Sequence, residues 1–166
     1  NKGAEVIVAP SNISAEEIKE LAPKGIFLSN GPGDPSILQD EVSEVKKMMD
    51  LNIPIFGICL GHQLMSLAYG LKIVKMPFGH HGANHPVHDL KNNVVFITSQ
   101  NHNFAVESLQ DRADLKVTHV SLFDNSIQGI EHLERPFYSI QCHPEASPGP
   151  KEFEVLFKKF FKEMNA

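Results

Sequence analysis

The sequence predicts an α/β fold, with a mostly parallel central sheet flanked by helices and an antiparallel β-rich extension. Three observations carry that reading. The first half alternates short apolar runs with helical segments, the order that builds a parallel sheet under helices. The second half offers five strand-like runs with little helix between them, and the chain closes on a helix with a strong apolar stripe.

The elements follow in order. Glu5 to Ala9 (EVIVA) reads as a buried strand ended by Pro10. Ser14 and Glu17 stand three apart as a capping box and open a short helix to about Leu21. Ile26 to Ser29 is a second strand, closed by the turn from Asn30 to Pro35. Val42, Val45, Met48 and Met49 recur at helical spacing, which predicts a helix over Ser36 to Asp50. Ile53 to Ile58 is a third strand, running into a helix from Gly61 to Tyr69. The strand-like runs of the second half are Lys72 to Lys75, Val94 to Ser99, Lys116 to Ser121, Ser126 to Glu131 and Phe137 to Cys142. In the closing helix Phe153, Leu156, Phe157, Phe160 and Phe161 fall on one face, as expected for docking on a core.

The 166 residues suit one domain with a substantial core, and no repeat, linker or low-complexity segment divides them. A formal net charge of -5 gives no electrostatic reason to expect nucleic acid as partner. No apolar stretch approaches the roughly 18 residues that span a bilayer, and Asn1 to Pro10 lacks the pattern of a signal peptide. The two cysteines, Cys59 and Cys142, are too few for a disulfide framework, so the cytoplasm is the expected compartment.

Two stretches carry chemistry. Gly57-Ile58-Cys59-Leu60-Gly61-His62-Gln63 lies where a buried strand turns into a helix. A nucleophile at such a turn stands at the carboxyl edge of the sheet, over the N–H groups and positive dipole end of the next helix. Those groups favour a thiolate and can receive an oxyanion. Taken alone, a cysteine after a strand is more often a small buried hydrophobe; the flanking glycines and Gln63 favour the nucleophile. Gln141-Cys142-His143-Pro144-Glu145 supplies the complement, a histidine and an orienting carboxylate two residues apart. By strand alternation Cys142 points into the core.

These two stretches resemble the motifs of class I glutamine amidotransferases, whose flavodoxin-like fold they imply. Within that family the chain is similar to the glutaminase region of the carbamoyl-phosphate synthase small subunit. The narrowing residues are Leu28 to Pro35, Gly82 to Val87, Ser99 to His102, His119 to Leu122 and His143 to Pro150. The resemblance implies Cys59 as nucleophile, His143 as general acid and base, and Glu145 as its orienter. It implies an oxyanion hole from Gly31 and Leu60, and a glutamine site from Gly33, Gln63, Asn101, Asn103 and Phe104. The family has glycine where this chain has Asn103, so a left-handed loop backbone is expected there, which asparagine tolerates better than most residues.

The implied activity is hydrolysis of L-glutamine to glutamate and ammonia through a cysteinyl thioester. The implied partner is the synthetase large subunit, which uses ammonia to make carbamoyl phosphate for arginine and pyrimidine biosynthesis. No G-x-x-x-x-G-K-[ST] occurs, so no P-loop binds ATP here; this domain is expected to hold no cofactor, with ATP and Mg on the partner. The resemblance also implies that the first strand, most of the first helix and the small subunit's amino-terminal domain lie outside this sequence, so low activity of the chain alone is expected.

His80, His81, His85 and His88 match no zinc-ligand spacing cleanly and read as a polar loop lining the glutamine cleft, with no metal expected. His62, His102 and His119 read as structural hydrogen-bonding residues. Two alternatives share the same triad: a glutaminase serving an anthranilate, GMP or CTP synthase, and a catalytically silent regulatory scaffold.

Overall fold

A computed structural model describes residues 3–146 and 154–166. One seven-stranded sheet runs in the order β1-β2-β7-β6-β5-β3-β4. Strands β1 (Ile26–Leu28), β2 (Ile55–Ile58) and β7 (Phe137–Ile140) are parallel neighbours. The remaining pairings, among β3 (Ile73–Asp89), β4 (Val94–Val106), β5 (Leu115–Ser121), β6 (Ile127–His132) and β7, are antiparallel. The parallel part is thus the smaller one, and the antiparallel extension forms most of the sheet's width.

Strand alternation sorts the parallel strands onto two cores. Ile26, Ile55 and Phe137 face helices α1 (Ala15–Leu21), α2 (Gln39–Met49) and α3 (Leu60–Ala68), meeting Ile18, Val45, Met48 and Met65. Phe56, Ile58, Tyr138, Ile140 and Cys142 face the other way, against Leu156, Phe157 and Phe160 of α4 (Glu154–Glu163). Tyr138 donates its hydroxyl hydrogen to the Leu156 carbonyl at 2.8 Å, fixing α4 on the sheet. Phe153 of the expected stripe, and Ser147 to Pro150, lie outside the described residues.

The expected capping box forms: Ser14 Oγ accepts from the Glu17 N–H, and Glu17 Oε2 accepts from the Ser14 N–H. The expected helix over Ser36 to Asp50 is instead a 3-10 turn, Pro35–Ile37, followed by α2. Asp34 caps that turn through the Ser36 N–H, and helical hydrogen bonding restarts at Leu38.

Glu5 to Ala9 is not a strand. Val6 is 77% exposed and Val8 90%. Among the described residues no strand of the sheet pairs with this segment. The stretch carrying His80, His81, His85 and His88, expected as a polar loop, belongs to the long strand β3. Irregularities between Lys75 and His80 and between Gly82 and His85 interrupt its ladder with β4, which is why its alternation is hard to read.

Candidate active site

The three parallel strands end at one edge of the sheet, where ligands bind in open α/β folds. Ile58 and Ile140 are register partners, and the Cys59 N–H donates to the Ile140 carbonyl at 2.9 Å. The residue leaving β2 is thereby tied beside the end of β7, three residues before His143. The loop after β1 closes the third side: a Cβ on Gly31 would lie 2.6 Å from Leu60 Cδ2. Gly31 and Leu60, expected as oxyanion donors, are thus brought together beside Cys59.

Cys59 occupies the N-cap of α3 with φ 51° and ψ −103°. This backbone is costly for a non-glycine residue and marks a strained turn. Its side chain makes no capping bond, and Sγ lies 3.9 Å from the Asn101 carbonyl oxygen. Two glycines permit the turn to sit against the sheet. A Cβ on Gly61 would fall 2.2 Å from the Leu28 carbonyl oxygen, and one on Gly57 would fall 2.8 Å from the Gly61 backbone.

His143 is anchored through its N–H to the Ser99 carbonyl at 2.9 Å. Its Nδ1 is 2.8 Å from Glu145 Oε1, so the carboxylate accepts the Nδ1 proton and fixes the ring. Nε2 is buried with no partner of hydrogen-bond geometry, yet Cys59 exerts the largest single influence on the ring. Interaction with Cys59 and then with Glu145 outweighs burial and pushes the imidazole pKa up to about 10. Such slack thiol–imidazole geometry is ordinary without substrate. Burial opposes the ionisation of Glu145, but its hydrogen bonds, that from His143 foremost, hold the carboxyl below its usual range.

The expected substrate contacts are distributed as follows. Gly33 has φ 102° with open space around it. Gln63 is buried; its amide nitrogen donates to the Phe104 carbonyl and to Gln141 Oε1, both at 3.1 Å. Asn101, Asn103 and Phe104 lie within β4, not in a loop. Asn103 is absent from the left-handed positions, so the expected loop backbone is corrected: ladder pairing of Asn101 with His81 and Phe104 with Lys75 keeps this stretch extended.

The histidines separate by burial. His80, His85 and His102 form a buried ring cluster with centroids 4.9 and 5.0 Å apart, and His80 Nε2 meets Asp124 at 3.0 Å. They sit on β3 and β4, so the expected polar loop is a strand pair. Among the described residues no group of three or more His, Cys, Asp or Glu is placed to hold a metal ion. His62 bonds Ser139, His102 donates to the Phe104 carbonyl, and His119 bonds Thr118, each at 2.8 Å. Cys142 is fully buried, and burial raises its thiol pKa; both cysteines are free.

Sequence reasoning named Ser99, Gln141 and His81 but did not foresee their hydrogen bonds to His143, Gln63 and the Asn101 and Asn103 side chains. Gln141 and His143 both lie just past the end of β7, two residues apart. Ser99 and His81 depend on β3–β4 register, which local sequence does not give.

A strained cysteine at a strand-to-helix turn and a histidine hydrogen-bonded to a carboxylate thus stand at the ends of adjacent parallel strands of a mixed α/β sheet. The family model for class I glutamine amidotransferases matches residues 1–163, and the chain belongs to that family. It is 51% identical over 162 residues to the carbamoyl phosphate synthase small chain of Escherichia coli K12, covering 98% of this chain and 42% of that one. The Neisseria meningitidis serogroup A small chain is 52% identical over 166 residues, covering 100% of this chain and 44% of the relative. The chain therefore spans less than half the length of these curated relatives. A crystal structure named for a GMP synthase subunit protein from Thermoplasma acidophilum matches with TM-score 0.80 and 26% identity, covering 95% of this chain and 79% of that one. No helix among the described residues is long and apolar enough to cross a membrane.

Proposed function

We propose that this domain is the glutaminase of a carbamoyl-phosphate synthase, releasing ammonia from L-glutamine. The observation that supports the reading is that Cys59 follows β2 while His143, bonded to Glu145, follows the adjacent parallel strand β7. Cys59 Sγ attacks the side-chain carbonyl carbon of glutamine. The carbonyl oxygen becomes an oxyanion held by backbone N–H groups of Gly31 and Leu60. Collapse breaks the C–N bond as the His143 imidazolium gives its proton to the leaving nitrogen, leaving a thioester and ammonia. The neutral imidazole then takes a proton from water, which attacks the thioester; expulsion of the thiolate releases glutamate and restores the imidazolium. Gly33, Gln63, Asn101, Asn103 and Phe104 hold the amino-acid end of the substrate. Gln63 does so in part by fixing the Phe104 carbonyl.

The similarity to carbamoyl phosphate synthase small chains supports a partnership with a large synthetase subunit. That partner would bind ATP and Mg and use the ammonia for carbamoyl phosphate, serving arginine and pyrimidine biosynthesis in a reducing cytoplasm. The test is labelling of the full-length protein with a glutamine-analogue electrophile. Stoichiometric modification, lost in Cys59→Ala with the fold retained, is expected. A folded protein that takes no label would be a scaffold, and the proposal would fail. Co-purification is expected to recover an ATP-dependent carbamoyl-phosphate synthase large chain; recovery of a different synthase would reject the assignment of partner.

A further inference from the structure

A buried amide joins the two stretches that carry the chemistry. The Gln63 N–H donates to the Cys59 carbonyl at 3.1 Å, one helical turn back, so the Gln63 side chain leaves α3 on the nucleophile's side. Gln141 lies just past β7, and its N–H donates to the Gln128 carbonyl at 2.8 Å. Gln141 is wholly buried, with Oε1 3.1 Å from Gln63 Nε2. Hydrogen-bond inventory leaves the two amides one orientation. The Phe104 carbonyl, 3.1 Å from Gln63 Nε2, can only accept, so Gln63 turns its NH2 to that side. Its second N–H then faces Gln141, which must present its oxygen. Both N–H bonds of Gln63 are thereby used. Its Oε1 takes no hydrogen bond among the described residues and is left to accept one from a ligand.

Gln141 is costly to the fold as it stands. Its Nε2 is sealed from solvent with no partner among the described residues, and a buried amide group in that state destabilises the protein. An apolar side chain of similar length would fill the same space without that cost. We propose that Gln141 is a positioning residue that locks the Gln63 amide with its oxygen toward the substrate, as acceptor for the α-ammonium of glutamine. Of the two charged groups at the amino-acid end of glutamine, only the ammonium donates; the carboxylate accepts. Held by the Phe104 carbonyl alone, the Gln63 amide would pivot about one anchor. The second anchor fixes its plane, so less ordering remains to be done when substrate binds. Gln141 itself touches no substrate atom and acts through Gln63. The inference rests on the glutaminase reading above.

The test measures Cys59 labelling in the full-length protein by a chloroketone analogue of glutamine and by the same chloroketone without its α-amino group, together with the melting temperature. Gln141→Met, close in length but without the amide, is expected to slow the first reagent by about tenfold, through weaker binding and not through slower reaction in the complex. The second reagent presents no ammonium and is expected to change by less than about twofold. The melting temperature is expected to stay within about 4 °C of the unaltered protein, because the orphaned nitrogen leaves with the amide. In a Gln63→Met background, Gln141→Met is expected to slow the first reagent no further, since its effect passes through Gln63. Equal slowing of both chloroketones, no slowing of the first, or a larger fall in melting temperature, loss of the fold included, overturns the proposal. So does a further loss in the Gln63→Met background. If the unaltered protein does not prefer the complete analogue over the truncated one, the glutamine reading itself is overturned, and this inference with it.

Discussion

In the proposed mechanism His143 holds a proton firmly enough to carry it to a leaving nitrogen and then accepts one from water. Its neighbours set that balance. The Cys59 sulfur and Glu145 favour the imidazolium and push its pKa to about 10. A histidine whose folded value lies above its ordinary 6.5 stabilises the fold fully below 6.5, and that stabilisation is lost as pH rises through about 10. The proposed catalysis is expected to follow the same window: the acid form persists at neutral pH and fades on the alkaline side. Glu145→Gln removes the negative charge and weakens the Nδ1 bond, so the imidazole value falls. The alkaline limb of glutamine hydrolysis is expected to move to lower pH, with kcat down by about tenfold to a hundredfold, as fits loss of an orienting partner. A pH–rate profile checks this. An unmoved alkaline limb would mean that Glu145 does not govern the ring.

At the scale of elements, the site depends on how closely α3 approaches the sheet. Gly61 lies against the Leu28 carbonyl, a backbone atom that cannot swing aside. Gly61→Ala is therefore expected to cost about 1–3 kcal/mol in urea denaturation, the usual range for overpacking, and to slow Cys59 labelling because the helix carries Leu60 away from Gly31. Gly33 is different: it has open space and only a left-handed φ to lose. The same elements show what the sequence made legible. Ile55 to Ile58 is a compact apolar run with both faces buried, and it pairs as such an interior run should. Glu5 to Ala9 has a similar apolar run and forms no strand, because strand formation depends on pairing that local pattern does not contain. Strand β3 hid for the opposite reason. Its glycines, prolines and histidines resemble a loop, and pairing with β4, joined by β5 at Val87 to Asp89, holds them extended. The Cys59 and His143 stretches were readable because each is a short motif, whereas the pairing of His81 with Asn101 arises from register across a hairpin.

Across the whole molecule, buried neutral histidines tie stability to pH. Burial holds His62 at about 3 and His102 at about 4. Burial is also the leading cause that lowers His85 and His119. Each would take up a proton near 6.5 once unfolded, so the unfolded chain binds more protons in mildly acidic solution. By linkage their stabilisation is complete above about 6.5 and is lost as pH falls from there toward the folded values. The paired carboxylates Asp89, Asp114 and Asp124 also have lowered values, but theirs lie below the ordinary 3.8, so their loss comes at lower pH. The two windows therefore separate. Thermal unfolding is expected to show the melting temperature falling between about pH 6.5 and 4, before the carboxylates titrate. His62→Asn is expected to flatten that slope while lowering stability at neutral pH, because it replaces a buried proton acceptor with a group that does not titrate. The slope is the decisive quantity, since any substitution in this core lowers the plateau. An acid slope unchanged in His62→Asn would show that the buried imidazole by Ser139 does not set the acid limit of this fold.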